Sequence, residues 1–176
     1  MGATYAWLGA GSCIRGAGAH LLRAGRQHRD QQLLQCEGHL GRGWGETRIS
    51  KCPKVDYDKP ASYGSLELRK STKNEDIGQT ISYDKSDTYE VPMITLDSVK
   101  LSQVDFIKID VEGMEIDVLR GAAKLLKKHC PMMLMEHIKT DKKALIDMLT
   151  SFGYKHYILG INILAVHESD KIEITL

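Results

Sequence analysis

The chain has 176 residues, a formal net charge of +1, 42% hydrophobic residues and 27% charged residues, a composition typical of an ordinary globular domain. These values exclude a disordered tail, a collagen-like repeat and a protein that binds nucleic acid through bulk basicity. No apolar run reaches the roughly 20 residues that a bilayer-spanning helix needs. We therefore expect no nucleic-acid and no membrane partner, and the composition leaves an oligomeric assembly open.

The composition changes abruptly near residue 50. All sixteen lysines lie in residues 51–176, whereas six of the eight arginines and ten of the sixteen glycines lie before that point. Lysine codons are rich in A, and glycine and arginine codons are mostly rich in G and C, so a changed reading frame or a fused fragment could produce this exchange. We expect an atypical segment over residues 1–43, poorly ordered or divergent, and a domain over residues 44–176.

The four cysteines form no CxxC pair and no zinc-type spacing with histidine, and this predicts free thiols. Free thiols are typical of a reducing compartment. The first residues also lack the charged region and the apolar core of a signal peptide. The sequence therefore predicts a cytoplasmic protein.

Predicted elements are sparse before residue 94. Tyr5–Leu8 is a candidate strand and residues 17–29 a candidate basic helix, although glycines interrupt both. Residues 53–93 are polar and rich in turns. Within them we expect short strands at 65–68 and 80–83.

From residue 94 onward the hydrophobic patterns are strong. A β-branched run at 104–111 predicts a strand buried in a parallel sheet. A helix follows Gly113, since Ile116, Leu119, Ala123 and Leu126 share one helical face. The remaining predicted elements are a strand at 132–137, a helix at 141–152 that ends before Gly153, and strands at 154–159 and 163–167.

This order of elements predicts an α/β fold. The join between the last two strands is too short for a parallel crossover, so these strands should form an antiparallel hairpin. The pattern is that of the second half of an open α/β sheet, closed at one edge by the hairpin and incomplete on the N-terminal side.

Acidic side chains follow two neighbouring predicted strands. Asp110, Glu112 and Glu115 follow the first strand, and Glu136 and His137 end the second. Ligands of open α/β sheets bind outside the carboxyl ends of the strands. The sequence therefore predicts that four carboxylates and an imidazole meet at one edge of the sheet.

Each of these residues also has a structural interpretation. Glu112 and Glu115 favour the positive N-terminus of the following helix, and Asp110 is a candidate cap for the same helix. Lys108, two positions before Asp110 on the strand, is the natural ion-pair partner of that carboxylate.

The second strand ends with a carboxylate and an imidazole. Glu136 closes an apolar strand, where a carboxylate needs a partner or a wet cleft, and this favours a functional role. His137 is more typical of a hydrogen-bonded histidine at a strand end than of a general base.

Three motifs together resemble the FkbM-type methyltransferases. They are TLDS at 95–98, IKIDVEGME at 107–115 and VLRGA at 118–122. The resemblance is strong over residues 91–168 and weaker back to Gly43. It implies the Rossmann-like fold of class I methyltransferases and transfer of a methyl group from S-adenosylmethionine, usually to a hydroxyl oxygen of a sugar or small natural product.

The resemblance also implies catalytic roles. Attack by oxygen on a sulfonium methyl group needs in-line geometry and help with the hydroxyl proton. Asp110 and Glu112 match positions of the family's motif from which a carboxylate could accept that proton, and Glu136 is a third candidate beside them. Glu115 and Glu136 are also candidates for positioning substrate or holding the loop, and an acidic edge could alternatively hold a divalent cation.

The N-terminal segment departs from the family. Class I methyltransferases bind the cofactor mainly with their first two strands. Here the glycines at 9–12 lack a preceding acidic residue, and Glu37 stands too close to Gly43 for a helix and a strand to follow. We therefore expect weak or absent cofactor binding.

The alternative to an active methyltransferase is a truncated, inactive remnant that acts as a binding module. A nucleotide-binding oxidoreductase is disfavoured because the strand–GxGxxG–helix unit is missing.

Overall fold

The computed structural model describes residues 5–8, 14–15, 48–71, 74–172 and 174. This part of the chain is mixed α/β, with two sheets and three α-helices. The strands are β1 (Tyr5–Leu8), β2 (Ile14–Arg15), β3 (Arg48–Pro53), β4 (Thr88–Met93), β5 (Phe106–Ile109), β6 (Met132–Glu136), β7 (Tyr154–Leu159) and β8 (Asn162–His167). The helices are α1 (Glu115–Gly121), α2 (Ala123–His129) and α3 (Lys142–Ser151).

The larger sheet has the strand order β2-β1-β5-β6-β8-β7. Strands β1, β5 and β6 are parallel, and β8 runs antiparallel to β6 and pairs with β7 as a hairpin. The register places Ile109 opposite both Leu8 and Met135. The carboxyl ends of three adjacent parallel strands therefore lie side by side at one edge of the sheet.

The core lies between one face of this sheet and the helices. Alternate residues of β5 and β6 are buried, as the two-residue period of a strand requires when one face is covered. The sequence predicted a strand buried in a parallel sheet, whereas β5 is shorter than the predicted range and buries one face more fully than the other. The most buried core side chains are Ile107, Ile109, Leu119, Leu126, Met133, Met135, Leu145, Leu149 and Ile163.

The single helix predicted after Gly113 is in fact two helices, α1 and α2, with Ala122 between them. The cause is Asp97, which lies in a 3-10 turn far away in the sequence. Its carboxylate accepts hydrogen bonds from the backbone N–H groups of Lys124 and Leu125 at 2.8–3.1 Å. In a continuous helix those two N–H groups would bind carbonyl oxygens four residues earlier. The TLDS motif therefore caps a new helix N-terminus.

The strands predicted at 65–68 and 80–83 are wrong. The chain forms a 3-10 turn at Tyr63–Ser65 instead, and the antiparallel pair β3–β4 flanks this region. Local hydrogen bonds to the main chain explain the difference, because they compete with a strand ladder. The Tyr83 hydroxyl donates to the carbonyl of Glu67 at 2.9 Å, and Asn74 Nδ2 donates to the carbonyl of Arg69 at 3.0 Å.

The C-terminal predictions are confirmed. The side chain of Asp141 caps α3 by accepting from the N–H of Ala144 at 3.0 Å. Gly153 ends that helix at φ +80°, where glycine is favoured. The predicted antiparallel hairpin is present as β7 and β8, and Gly160 in its turn also has a positive φ of +60°.

The strand predicted at Tyr5–Leu8 is confirmed as β1. The predicted helix at 17–29, the glycines at 9–12 and Glu37 lie outside the described residues. The domain boundary at residue 43 stays a prediction. In the described part of the chain, Cys52 and Cys130 are free thiols and no helix has the length and apolarity needed to cross a membrane.

Replacing Asp97 by alanine should lower the free energy of unfolding by about 1–2 kcal/mol, because two N–H groups at the start of α2 lose their acceptor. Urea denaturation of the variant and the wild type measures the change. Asp84→Ala is the matched control, since Asp84 is exposed and its side chain caps nothing. Equal losses in the two variants would contradict the capping role.

Candidate functional site

The loops that follow β5 and β6 form an acidic edge next to the end of β1. The β5–α1 loop carries Asp110 and Glu112, α1 begins at Glu115, and β6 ends at Glu136. The sequence predicted this convergence. Ile109 and Met135 are partners in the strand register, so Asp110 and Glu136, the next residue of each segment, lie side by side at this edge.

Asp110 forms an ion pair with Lys108, whose Nζ lies 2.6 Å from Asp110 Oδ2. The predicted partner of this carboxylate is therefore confirmed. Helix α1 begins at Glu115 with Met114 as its N-cap and without a side-chain cap. The alternative in which Asp110 caps the helix does not occur, because the lysine holds its carboxylate.

The β5–α1 loop turns through two residues with positive φ, Glu112 at +50° and Gly113 at +88°. Glycine suits this conformation, but for glutamate it costs about 1–2 kcal/mol. Contacts of the glutamate side chain can offset this strain. Glu112 Oε2 lies 2.7 Å from Nζ of Lys139, in the loop after β6.

Glu115 is almost completely buried, with 2% of its surface exposed. Its Oε1 accepts a hydrogen bond from the N–H of Gly113 at 3.2 Å, whereas its Oε2 has no hydrogen-bond partner among the described residues. Burial raises the pKa of this carboxyl, backbone hydrogen bonds lower it, and the charge of Glu136 raises it again. Through the hydrogen bond to Gly113, Glu115 holds the β5–α1 loop in place.

Glu136 is half-buried at the end of β6. Burial raises its pKa, and the negative charges of Asp110 and Glu112 raise it further, while Lys108 and Lys139 act in the opposite direction. Among the described residues, no side chain forms an ion pair or a hydrogen bond with this carboxylate. A carboxylate of raised pKa without a fixed partner is suited to accept a proton.

The neighbouring histidine has a structural arrangement. His137 Nε2–H donates to the carbonyl of Gly160 at 3.3 Å, and the backbone N–H of His137 donates to the carbonyl of Ile161 at 3.1 Å. These bonds tie the end of β6 to the β7–β8 turn, as expected of a histidine at a strand end.

The sequence reasoning missed Lys139 and two of its partners, Glu67 and Glu75. Lys139 Nζ lies 3.5 Å from Glu67 Oε1 and 3.0 Å from Glu75 Oε2. These glutamates precede the lysine by 72 and 64 positions. No spacing rule connects residues so far apart, and the only available signal was the lysine three positions after Glu136.

The cation alternative for the acidic edge gains no support. Among residues 48–71 and 74–172, no group of three or more His, Cys, Asp or Glu side chains has an arrangement that could hold a metal ion. A lysine contacts one oxygen of Asp110 and another lysine contacts one oxygen of Glu112.

Glu115→Gln should reduce the loss of stability that accompanies a rise in pH above about 4.3. A carboxyl whose pKa is raised by folding binds more protons in the folded state, so stability falls as pH rises from the unfolded pKa, about 4.3, through the folded one. Urea denaturation at several pH values measures the difference between wild type and variant. The exposed Glu90→Gln is the control. Parallel stability profiles for wild type and Glu115→Gln would contradict the assignment.

Comparison with known proteins establishes the family. The model of the methyltransferase FkbM domain matches residues 23–156, more than half of the chain. Comparison with curated proteins and with solved structures gave no match. The match includes β5, the carboxylate loop, β6 and Lys139. The chain therefore belongs to the family of FkbM methyltransferase domains.

Proposed function

We propose that this protein transfers the methyl group of S-adenosylmethionine to a hydroxyl oxygen of a sugar or small natural product. The observation that carries the proposal is the convergence of Asp110, Glu112 and Glu136 at the carboxyl ends of adjacent parallel strands. Open α/β sheets bind their ligands at such an edge. Membership of a methyltransferase family supplies the reaction class.

The acidic edge fits the charge of the cofactor. S-adenosylmethionine carries a sulfonium and an ammonium group, both positive, and when bound it supplies an electrophilic methyl group. Among the described residues, the carboxylates of Asp110, Glu112 and Glu136 with two lysines, Lys108 and Lys139, leave an excess of negative charge at the edge. Asp110 directly follows Ile109, which pairs with Leu8 at the end of β1. Asp110 and Glu112 would face the sulfonium and ammonium groups of the cofactor.

The carboxylates of the protein have different roles in the proposed reaction. Glu136 accepts the proton of the acceptor hydroxyl, because its carboxylate has no fixed cation among the described residues and its pKa is raised by burial. Asp110 and Glu112, each held by a lysine, accept hydrogen bonds that orient the hydroxyl. Glu115 keeps the loop in place through the N–H of Gly113.

Strand β1 favours an enzyme over an inactive remnant. A remnant would need no strand at the N-terminus, whereas Tyr5–Leu8 pairs in parallel with β5 along its whole length. Leu8, the last residue of β1, therefore lies beside Ile109, at the edge where the carboxylates lie. This position supports a cofactor site at the first strand of the sheet.

Glu136→Gln should lower kcat by about 10²- to 10⁴-fold, the usual contribution of a general base. In the wild type, kcat should rise with pH through the raised pKa of Glu136, so the acid limb lies above the ordinary value of about 4.3. Transfer of radiolabelled methyl to a panel of sugars and small hydroxylated molecules measures both effects. The exposed Glu90→Gln should keep wild-type kcat and the wild-type pH profile. Full activity of Glu136→Gln would contradict the assignment of the base.

The N-terminal sequence predicts weak or absent cofactor binding, but the parallel pairing of β1 with β5 favours a cofactor site. Titration calorimetry with S-adenosylmethionine should therefore show binding in the micromolar range. Binding should weaken in Asp110→Asn, because one negative charge at the edge is lost, and remain unchanged in the exposed Asp84→Asn. An absence of binding by the wild type would contradict the proposal and would favour the remnant that the atypical N-terminal composition suggests.

A further inference from the structure

Lys139 forms ion pairs with three carboxylates in the described part of the chain. It lies in the loop after β6, three residues beyond Glu136, and its side chain is only 14% exposed. Its ammonium group contacts three carboxylates, those of Glu112 at 2.7 Å, Glu75 at 3.0 Å and Glu67 at 3.5 Å. Such a buried lysine is either a structural link or part of the working site.

Lys139 contacts the carboxylate loop twice. Its ammonium group holds Glu112, whose φ of +50° is unfavourable for a residue with a side chain. Its carbonyl oxygen lies 3.0 Å from the point where a Cβ on Gly113 would be, so a side chain there would force the loop after β6 to shift, and the φ of +88° also favours glycine. The two contacts involve consecutive residues at the top of the turn. Lys139 thereby fixes the orientation of the loop that carries Asp110 and Glu112.

Glu67 and Glu75 hold the lysine from the opposite side. They belong to the segment between β3 and β4, and the side chain of Glu67 is 13% exposed. Burial lowers the pKa of Lys139, but its hydrogen bonds to Glu112 and Glu75 and the charge of Glu67 outweigh burial and raise it. The ammonium group therefore stays charged throughout the range in which a carboxylate titrates, and it cannot swing away without leaving Glu112 unpaired.

We infer that Lys139 is a positioning residue of the methyl-transfer site, one that orients Glu112 and places a permanent positive charge beside Glu136. The inference rests on the proposed function. Lys139 needs no contact with acceptor or cofactor, because it acts through the two carboxylates.

This role has a consequence for Glu136. Four charged side chains act on this carboxylate: those of Asp110, Glu112, Lys108 and Lys139. Among the described residues, removal of Lys139 leaves the negative charges of Asp110 and Glu112 acting on Glu136 with Lys108 alone to offset them. Glu136 must then take up its proton at a higher pH.

The test compares Lys139→Met, which removes the charge, with Lys139→Arg, which keeps it, and with Lys143→Met as a matched control on exposed α3 surface. In Lys139→Met we expect kcat to fall about 10- to 100-fold through misplacement of Glu112, with KM changed far less. The acid limb of the pH profile should move to higher pH. Lys139→Arg should restore the position of that limb and most of kcat, and Lys143→Met should match the wild type.

Titration of the Glu136 side-chain carboxyl by NMR is the second readout, and it needs no activity. The pKa of Glu136 should be higher in Lys139→Met than in the wild type or Lys139→Arg. If Lys139→Met fails to fold, Lys139→Gln, whose amide can still donate to Glu112 and Glu67, should show the same upward shift. An unchanged titration would overturn the inference, whether or not kcat falls. An upward shift in a protein that transfers no methyl group would uphold the electrostatic coupling and reject the proposed function.

Discussion

The parallel pairing of β5 with β6 is the constraint on which the rest of the structure depends. Ile107 and Ile109 pair with Met133 and Met135, and all four side chains are buried on one face. A slip of one residue would turn these side chains to the other face of the sheet. The buried face therefore fixes the register, and the register fixes where the two strands end. Carboxylates that are 26 positions apart in the sequence become neighbours for this reason.

Carboxylates can lie close together at this edge because two of them are each paired with a lysine. Lys108 neutralises Asp110, and Lys139 neutralises Glu112. The lysines come from different elements, one from β5 itself and one from the loop after β6. Glu136 is the exception among the three candidate catalytic residues of the described chain, since no cation is fixed to it. This asymmetry separates two carboxylates that are suited to orient a ligand from one that is suited to exchange a proton.

Local sequence patterns predicted most of the elements from β5 onward. There the spacing of the apolar residues, the helix caps and the turn residues all indicate the same helices and strands. Local patterns failed to predict the structure where contacts with residues elsewhere in the chain determine it. Asp97 divides one predicted helix into α1 and α2, since its carboxylate binds N–H groups 27 and 28 positions away. The strands predicted at 65–68 and 80–83 are absent, because side chains there bind the main chain of the same segment.

By itself, the sequence determined the family, the α/β class, the C-terminal hairpin and the meeting of Asp110, Glu112 and Glu136 at one edge. Each of these follows from short-range patterns and from motifs that are contiguous in the chain. Only the tertiary structure decided that β1 lies beside β5 and that Lys139 holds the carboxylate loop. Strand neighbours and ion pairs between distant segments depend on how the whole chain packs, and no periodicity along the sequence encodes them.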